Sequence, residues 1–242
     1  MFRAFTITSG KGGVGKTTLT VNLGISLALL DRETYILDAD IGMANMALIL
    51  GMDEVPVTLH EVLAGKADIE DAIYEGPAGV KVVPSGISLQ GFQQADPDKL
   101  RDVMHKLVDR CEYLLIDAPS GISKEGVVPL SVAAQVILVV HPELASLAAA
   151  LKTKILCEVM GGNVYGAILN RAGQEHTELR SQSVEDVLGV RVIDVVPEDA
   201  SVRRAAAYKT PCVLKYPGTD ASRAFKRIAA QMSGVEYEDE PG

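Results

Sequence analysis

The chain has 242 residues and no tryptophan, with aromatic residues making up only 5%. So few flat rings argue against a surface that stacks successive bases or sugars. Cysteine is as scarce: Cys111, Cys157 and Cys212 stand far apart and form no CxxC pair. Structural zinc and dithiol redox chemistry therefore lack a ligand set. Buried thiols in a reducing compartment are the ordinary reading of such cysteines. No uninterrupted apolar run reaches the roughly 18 residues that a spanning helix needs. The first residues, MFRAFTITSG, run straight into a strand pattern without the apolar core of a secretion signal. The expectation is a cytoplasmic protein. Positive charge is short too, and a net charge of −9 opposes general adhesion to DNA or anionic lipid.

What is present is a core. Apolar residues make up 48% and charged residues 23%, the composition of a globular protein. The length suits one domain over residues 1–242, ending in an acidic, flexible tail over about 235–242. β-rich apolar runs alternate with helical patterns. Strands are expected at 4–9, 33–40, 80–86, 113–119, 135–142, 164–171 and 191–197, and helices at 16–30, 143–160 and 222–232. A further helix is expected within 96–111, where Leu100, Val103, Met104, Leu107 and Val108 form one stripe. Asp96 can cap it, with Pro97 at its first position. Near-continuous apolar strands imply burial on both faces. The fold class is α/β: a doubly wound, mostly parallel sheet with helices on both faces, the P-loop NTPase arrangement. In such sheets ligands sit beyond the carboxyl ends of the strands.

One loop fits that place. Gly10, Lys11, Gly12, Gly13, Val14, Gly15, Lys16, Thr17 and Thr18 contain the G-x-x-x-x-G-K-[ST] pattern between an expected strand and helix. The glycines let backbone N–H groups converge on phosphate oxygens, and the helix start adds its positive dipole end. Lys16 reaches the β- and γ-phosphates, and the Thr17 hydroxyl ligates Mg²⁺. Lys11 is a second lysine in the same loop. It is either a solvated rim charge or a group that reaches outward to phosphates held by another subunit, and spacing alone leaves both open.

Acids follow three strands. Asp38 and Asp40 end the second strand, where a carboxylate can hold a Mg²⁺-bound water or orient an attacking one; the bland reading is a helix cap. Asp117 follows four apolar strand residues, a costly place for a carboxylate without a cation. Glu143 follows another strand, near a helix N-terminus where the dipole alone favours an acid. Asn170 and Arg171 end a strand, and Pro197, Glu198 and Asp199 follow the next; all are also good loop residues. His60, His105, His141 and His176 form no catalytic or metal-binding constellation. Basic residues gather late, at Arg203, Arg204, Lys209, Lys215, Arg223, Lys226 and Arg227, with Asp220 among them. A solvated face, a protein-docking face and a DNA-binding face all remain open for them.

The stretches GKGGVGKTT, LDADIGMANMALILGM, LLIDAPSGI, HPE, ILNRA and VPEDASVRRAA occur in this order. Together they resemble the MinD/ParA family of deviant Walker A P-loop ATPases, the archaeal MinD-like proteins above all, from residue 4 to about 232. The resemblance implies ATP and Mg²⁺ as cofactors and a homodimer that closes on ATP. Lys11, as the signature lysine, would reach the partner subunit's phosphates in the manner of an arginine finger. Asp40 would position the attacking water with Asp38 in support, and Asp40 and Asp117 would serve Mg²⁺ beside Thr17. Asn170 would pair with the adenine edge, residues 197–199 would wall the base, and Glu143 would approach the partner's ribose. Pro119, Ser120 and Gly121 would begin a second switch loop whose next residues, 122–126, are particular to this branch. No guanine-selective Asn-Lys-x-Asp motif occurs, which favours ATP over GTP. The implied function is an ATP hydrolase that acts as a spatial switch in cell-division site selection, or in positioning another assembly, through an unidentified protein partner. The alternative is a ParA-like DNA-segregation ATPase or a nucleotide-gated adaptor. Bacterial MinD proteins usually end in a basic amphipathic helix, whereas this chain ends in SGVEYEDEPG, which anionic lipid repels. Membrane anchoring is not expected, and nonspecific DNA binding is the lesser possibility.

Overall fold

A computed structural model describes residues 2–52, 54–108, 110–121, 128–130, 135–173 and 175–238. The stretch 122–126 and the last four residues of the expected tail lie outside the described residues. Eight strands form one sheet: β1 (Arg3–Thr8), β2 (Thr34–Asp38), β3 (Tyr74–Glu75), β4 (Lys81–Val83), β5 (Tyr113–Asp117), β6 (Gln135–Val140), β7 (Val164–Ala172) and β8 (Val192–Pro197). Their spatial order is β3-β4-β2-β5-β1-β6-β7-β8. All neighbours are parallel except the two-residue edge strand β3, which runs antiparallel to β4.

The helices described in full are α1 (Lys16–Ala28), α2 (Met46–Leu50), α3 (Leu59–Leu63), α4 (Leu89–Gln94), α5 (Leu100–Val108), α6 (Leu144–Val159), α7 (Ser181–Leu188), α8 (Ala200–Ala207), α9 (Cys212–Lys215) and α10 (Asp220–Ser233). Alternation along the strands assigns the two faces. Phe5, Ile7, Ile36, Leu115, Ile137 and Val139 point to the side covered by α1 and α10. Ala4, Leu37, Leu114 and Ile116 point to the other side, under α3 and α5. Val136, Leu138 and Val140 do the same under α6 and α7. Helix α1 lies between the sheet and α10, so its polar residues must bond locally. Thr20 and Ser26 donate to the carbonyls four residues back, and the Asn22 amide donates to Thr18 and accepts from Val213. A methyl group at Gly24 would stand 2.5 Å from Ile36 Cδ1, so the missing side chain is what lets α1 lie this close to β2.

All seven expected strands and all four expected helices are present, their ends within four residues of the expected bounds. Asp96 accepts from the Asp98 N–H, and Pro97 opens a 3₁₀ turn that leads into α5. The short helices α2, α3, α4, α7, α8 and α9 escaped the sequence pattern because so few turns show no period. Strand β2 stops at Asp38, so Asp40 lies beyond the reach of strand alternation. Among the described residues no helix is long and apolar enough to cross a membrane.

Candidate nucleotide site

The parallel arrangement brings the exits of β1, β2, β5, β6, β7 and β8 to one edge, and every candidate residue lies there. The loop after β1 is held by its neighbours. A methyl group at Gly10 would stand 2.1 Å from the carbonyl carbon of Ala149, so the loop touches the backbone of α6 directly. Gly15 caps α1 with φ at 91°, a conformation that side chains resist. Its missing Cβ also makes room for Asn170 Nδ2, which would lie 2.5 Å from it. Asn170 is buried and donates that amide to the Val14 carbonyl at 2.7 Å. Lys16 is the first residue of α1, so the helix start and its free N–H groups face the loop's interior.

The two lysines of the loop have opposite surroundings. Lys16 is buried, with Nζ 3.9 Å from Asp117 Oδ1. Lys11 is half exposed at the rim, with Nζ 2.7 Å from Glu143 Oε1. Hydrogen bonding and the charge of Lys11 hold the Glu143 carboxyl below its usual range.

The acids are arranged by strand register. Asp38 and Asp117 are paired neighbours at the ends of β2 and β5, and both are buried. Burial pushes the Asp117 carboxyl up to about 6, although the Lys16 ammonium and the nearby Thr17 and Thr20 hydroxyls pull it down. Neither oxygen of Asp117 has a hydrogen-bond donor in good geometry, because Thr20 gives its hydroxyl hydrogen to the Lys16 carbonyl. Asp38 is raised well above the carboxylate range by burial and then by the charges of Asp117 and Asp40. Its Oδ1 accepts from the Asp40 N–H at 3.2 Å, and its Oδ2 has no partner. Asp40 itself is partly exposed; its carboxylate accepts from Met43 N–H and closes a turn, while α2 begins only at Met46. It therefore does not cap that helix. Among the described residues no three His, Cys, Asp or Glu side chains converge on one point. A divalent cation held by Asp117, Asp40 and the Thr17 hydroxyl would complete its shell with water and phosphate oxygens. The unpartnered buried oxygens of Asp117 and Asp38 fit such a cation.

Beside the loop lies a cleft of about 220 Å³. Gly13, Gly15 and Thr18 form one wall, and Asn170, Arg171 and residues 197–199 form the other. Arg171 adopts φ of 62°, a strained value for a side-chain-bearing residue. Its Nε donates to Glu198 at 2.7 Å and its Nη1 to the Gly13 carbonyl at 3.4 Å, tying the two walls together. Asp199 is engaged elsewhere: it accepts from Ser201 N–H at 2.8 Å and caps α8. Burial raises its carboxyl, but the hydrogen bonds from Ser201 outweigh that and lower it. Sequence reasoning missed Val202, Arg203 and Phe225, which also line the cleft. Arg203 carried a usable signal, since it lies on the first turn of the helix that the 197–199 loop starts.

The late basic residues have partners that sequence order hides. Arg227 grips Asp194 with bonds of 2.6 and 2.8 Å. Arg203 lies 3.8 Å from Glu198 and Arg223 3.9 Å from Asp220. Lys215 and Arg204 sit over the rings of Tyr208 and Tyr216. His60 is buried with Nε2 2.9 Å from the Ile41 carbonyl, a structural contact.

A glycine loop between a strand and a helix at the carboxyl edge of a parallel sheet defines a P-loop nucleotide-binding protein. The model of the CobQ/CobB/MinD/ParA nucleotide binding domain matches residues 5–212. An ATP-binding protein of Methanocaldococcus jannaschii is 50% identical over 97% of this chain and 89% of its own. The cell division ATPase MinD of Pyrococcus furiosus superposes with a TM-score of 0.94 at 36% identity, covering 97% of this chain and 99% of that one. The septum site-determining protein MinD of Pyrococcus horikoshii, solved in complex with Mg-ADP, gives 0.93 at 35% identity, with 96% of each chain covered. The chain belongs to the CobQ/CobB/MinD/ParA family.

Proposed function

We propose that the whole chain is one Mg-ATP-dependent ATPase domain of the MinD type. It closes into a dimer on ATP, hydrolyses ATP to ADP and phosphate, and reopens. The observation that carries this reading is the split between the two loop lysines: Lys16 is buried beside Asp117, and Lys11 is exposed on the rim. One serves the chain's own nucleotide, and the other, once it leaves Glu143, reaches a partner's. Backbone N–H groups of residues 10–17 and the start of α1 hold the phosphates. Bound Mg²⁺ supplies charge neutralisation, held by Thr17, Asp40 and Asp117. Asp40, the more exposed of Asp38 and Asp40, orients the attacking water, and Asp38 holds the Asp40 backbone. The cleft beside Asn170 and Arg171 takes the adenine, with residues 197–199 as its outer wall and Glu143 near the dimer seam.

The output of the cycle is spatial positioning of division machinery or another large assembly in the cytoplasm, through a protein partner. The internal pairing of Arg227, Arg203 and Arg223 leaves less positive surface than their number suggests, which lends the DNA-segregation alternative no support. The test is molecular mass by light scattering, with ATP and with ADP, for wild type, Asp40→Ala and Lys11→Ala. Asp40→Ala should form a stable dimer with ATP alone, and Lys11→Ala should stay monomeric while still binding nucleotide. Wild type that hydrolyses ATP with every form monomeric would remove the cross-subunit role of Lys11.

A further inference from the structure

The carboxyl edge carries a second feature that nucleotide chemistry does not use. The residues after β2 and those after β4 leave the sheet on the same edge as the phosphate loop, because β1, β2 and β4 are parallel. Both segments lack charge: no Asp, Glu, Lys or Arg occurs within 41–52 or within 84–95, in a chain of net charge −9. Both also show large apolar side chains to solvent. Met43 is 72% exposed, Ile87 83% and Leu89 72%, and Phe92 is 39% exposed. Helix α4 buries none of its residues. The two segments touch, since a methyl group at Gly42 would meet the Phe92 ring at 3.7 Å. A contiguous apolar surface of this kind marks a site of association.

The patch is tied to the loop that begins at Asp40. His60 Nε2 meets the carbonyl of Ile41, the residue after Asp40. The other side of the same ring lies where methyl groups at Gly86 and Gly91 would stand 2.6 and 2.9 Å from Nδ1. One buried ring thus packs against the Asp40 loop, the exit from β4, and α4.

We propose that this uncharged patch of Met43, Ile87, Leu89 and Phe92 is covered by a second copy of the same chain when the nucleotide-bound dimer closes. Three observations select a copy over another partner. The patch shares the edge from which Lys11 projects, so the dimer seam of the proposed function extends over it. Two chains of net charge −9 repel, and two segments without a charged side chain add nothing to that repulsion where they are apposed. His60 joins the patch to the loop carrying Asp40, so the patch borders the nucleotide edge that a closing copy must cover. The inference rests on the dimer reading above and adds to it the apolar contribution to closure.

The test uses the full chain with single substitutions Ile87→Glu and Leu89→Glu, both at exposed positions where the fold has no stake. The dimer dissociation constant is measured by sedimentation with a slowly hydrolysed ATP analogue and Mg²⁺. Binding of a fluorescent ATP analogue, at protein concentrations too low for dimerisation, and thermal melting without nucleotide are followed beside it. A symmetric interface receives each new carboxylate twice, so dimerisation should weaken by at least about tenfold, with nucleotide affinity and melting unchanged. Wild type that stays monomeric with the analogue overturns the dimer reading and this inference with it. Wild type that dimerises, with both variants within about twofold of it, overturns this inference and leaves the dimer reading standing. Equal loss of nucleotide affinity in the variants also overturns it, since the patch would then be acting on the site and not on closure.

Discussion

Asn170 Nδ2 donates to the Val14 carbonyl at 2.7 Å, joining the end of β7 to the phosphate loop after β1, across the intervening β6. The bond is buried, so its loss leaves a carbonyl without a partner. Such an orphan costs about 1–3 kcal/mol. Asn170→Ala should therefore lower the melting temperature of the nucleotide-free chain and weaken ATP binding by roughly tenfold or more, read by calorimetry and by titration of a fluorescent analogue. A variant that melts like wild type and loses only affinity would leave Asn170 with adenine recognition alone.

Gly10 makes a sharper demand. A methyl group there would overlap the Ala149 backbone, and backbone cannot swing away as a side chain can. Gly10→Ala must push α6 from the loop, at a cost of roughly 2–4 kcal/mol. Chemical denaturation should show that loss. Gly12→Ala is the control, because its added methyl would meet only Ser120 Oγ at 3.5 Å, an ordinary contact.

These two contacts show what could be read in the sequence and what could not. The loop pattern marked Gly10 and Gly15 as phosphate-binding, because backbone N–H convergence requires residues without side chains. It gave no hint that Gly10 also admits α6 or that Gly15 admits Asn170, since those neighbours lie far along the chain. The apolar runs of β5 and β6 announced a parallel sheet, because burial on both faces leaves no polar alternation to misread. The acids at strand ends stood out for the same reason: Asp117 follows YLLI, where nothing else is polar. The base cleft was half legible. Asn170 and residues 197–199 sat at expected strand ends, but the ion pair of Arg171 with Glu198 needs the register of β7 on β8. The basic cluster stayed open because Asp194, which holds Arg227, precedes it on another element.

Asp117 sets a stability cost that function explains. Its carboxyl is raised to about 6 from an ordinary value of 3.8, chiefly by burial. The native chain therefore holds a proton that the unfolded chain has released between those two values. Stability falls as pH rises through that window and stays reduced above it. Asp117→Asn removes the penalty. In EDTA and without nucleotide, the variant should be more stable than wild type by roughly 1–3 kcal/mol at pH 7, the gap shrinking as pH approaches 4. The same variant should lose Mg²⁺-dependent nucleotide affinity. Urea melts at pH 4.5, 6 and 7.5 decide it: a gap that fails to grow with pH would mean that the Lys16 ammonium compensates the carboxylate fully.

Lys11 and Glu143 form the pair whose role turns on assembly. At 2.7 Å, with each side chain about half exposed, the contact adds little to the monomer, since exposed ion pairs contribute about 0–1 kcal/mol. Glu143→Gln should leave the melting temperature within a degree or two of wild type. Its effect belongs to the dimer. If Lys11 crosses to the partner's phosphates, it must first leave its own Glu143, and the carboxylate competes with the phosphates for one ammonium. Glutamine keeps the hydrogen-bonding capacity for a ribose hydroxyl and drops the charge that holds Lys11 back. The ATP-bound dimer of Glu143→Gln should tighten by a few-fold, and the gain should shrink at high salt as screening weakens the competing pair. Sedimentation at 50 and 300 mM salt measures both. A dimer weakened at both concentrations would assign Glu143 the opposite part, that of aiming Lys11 across the seam.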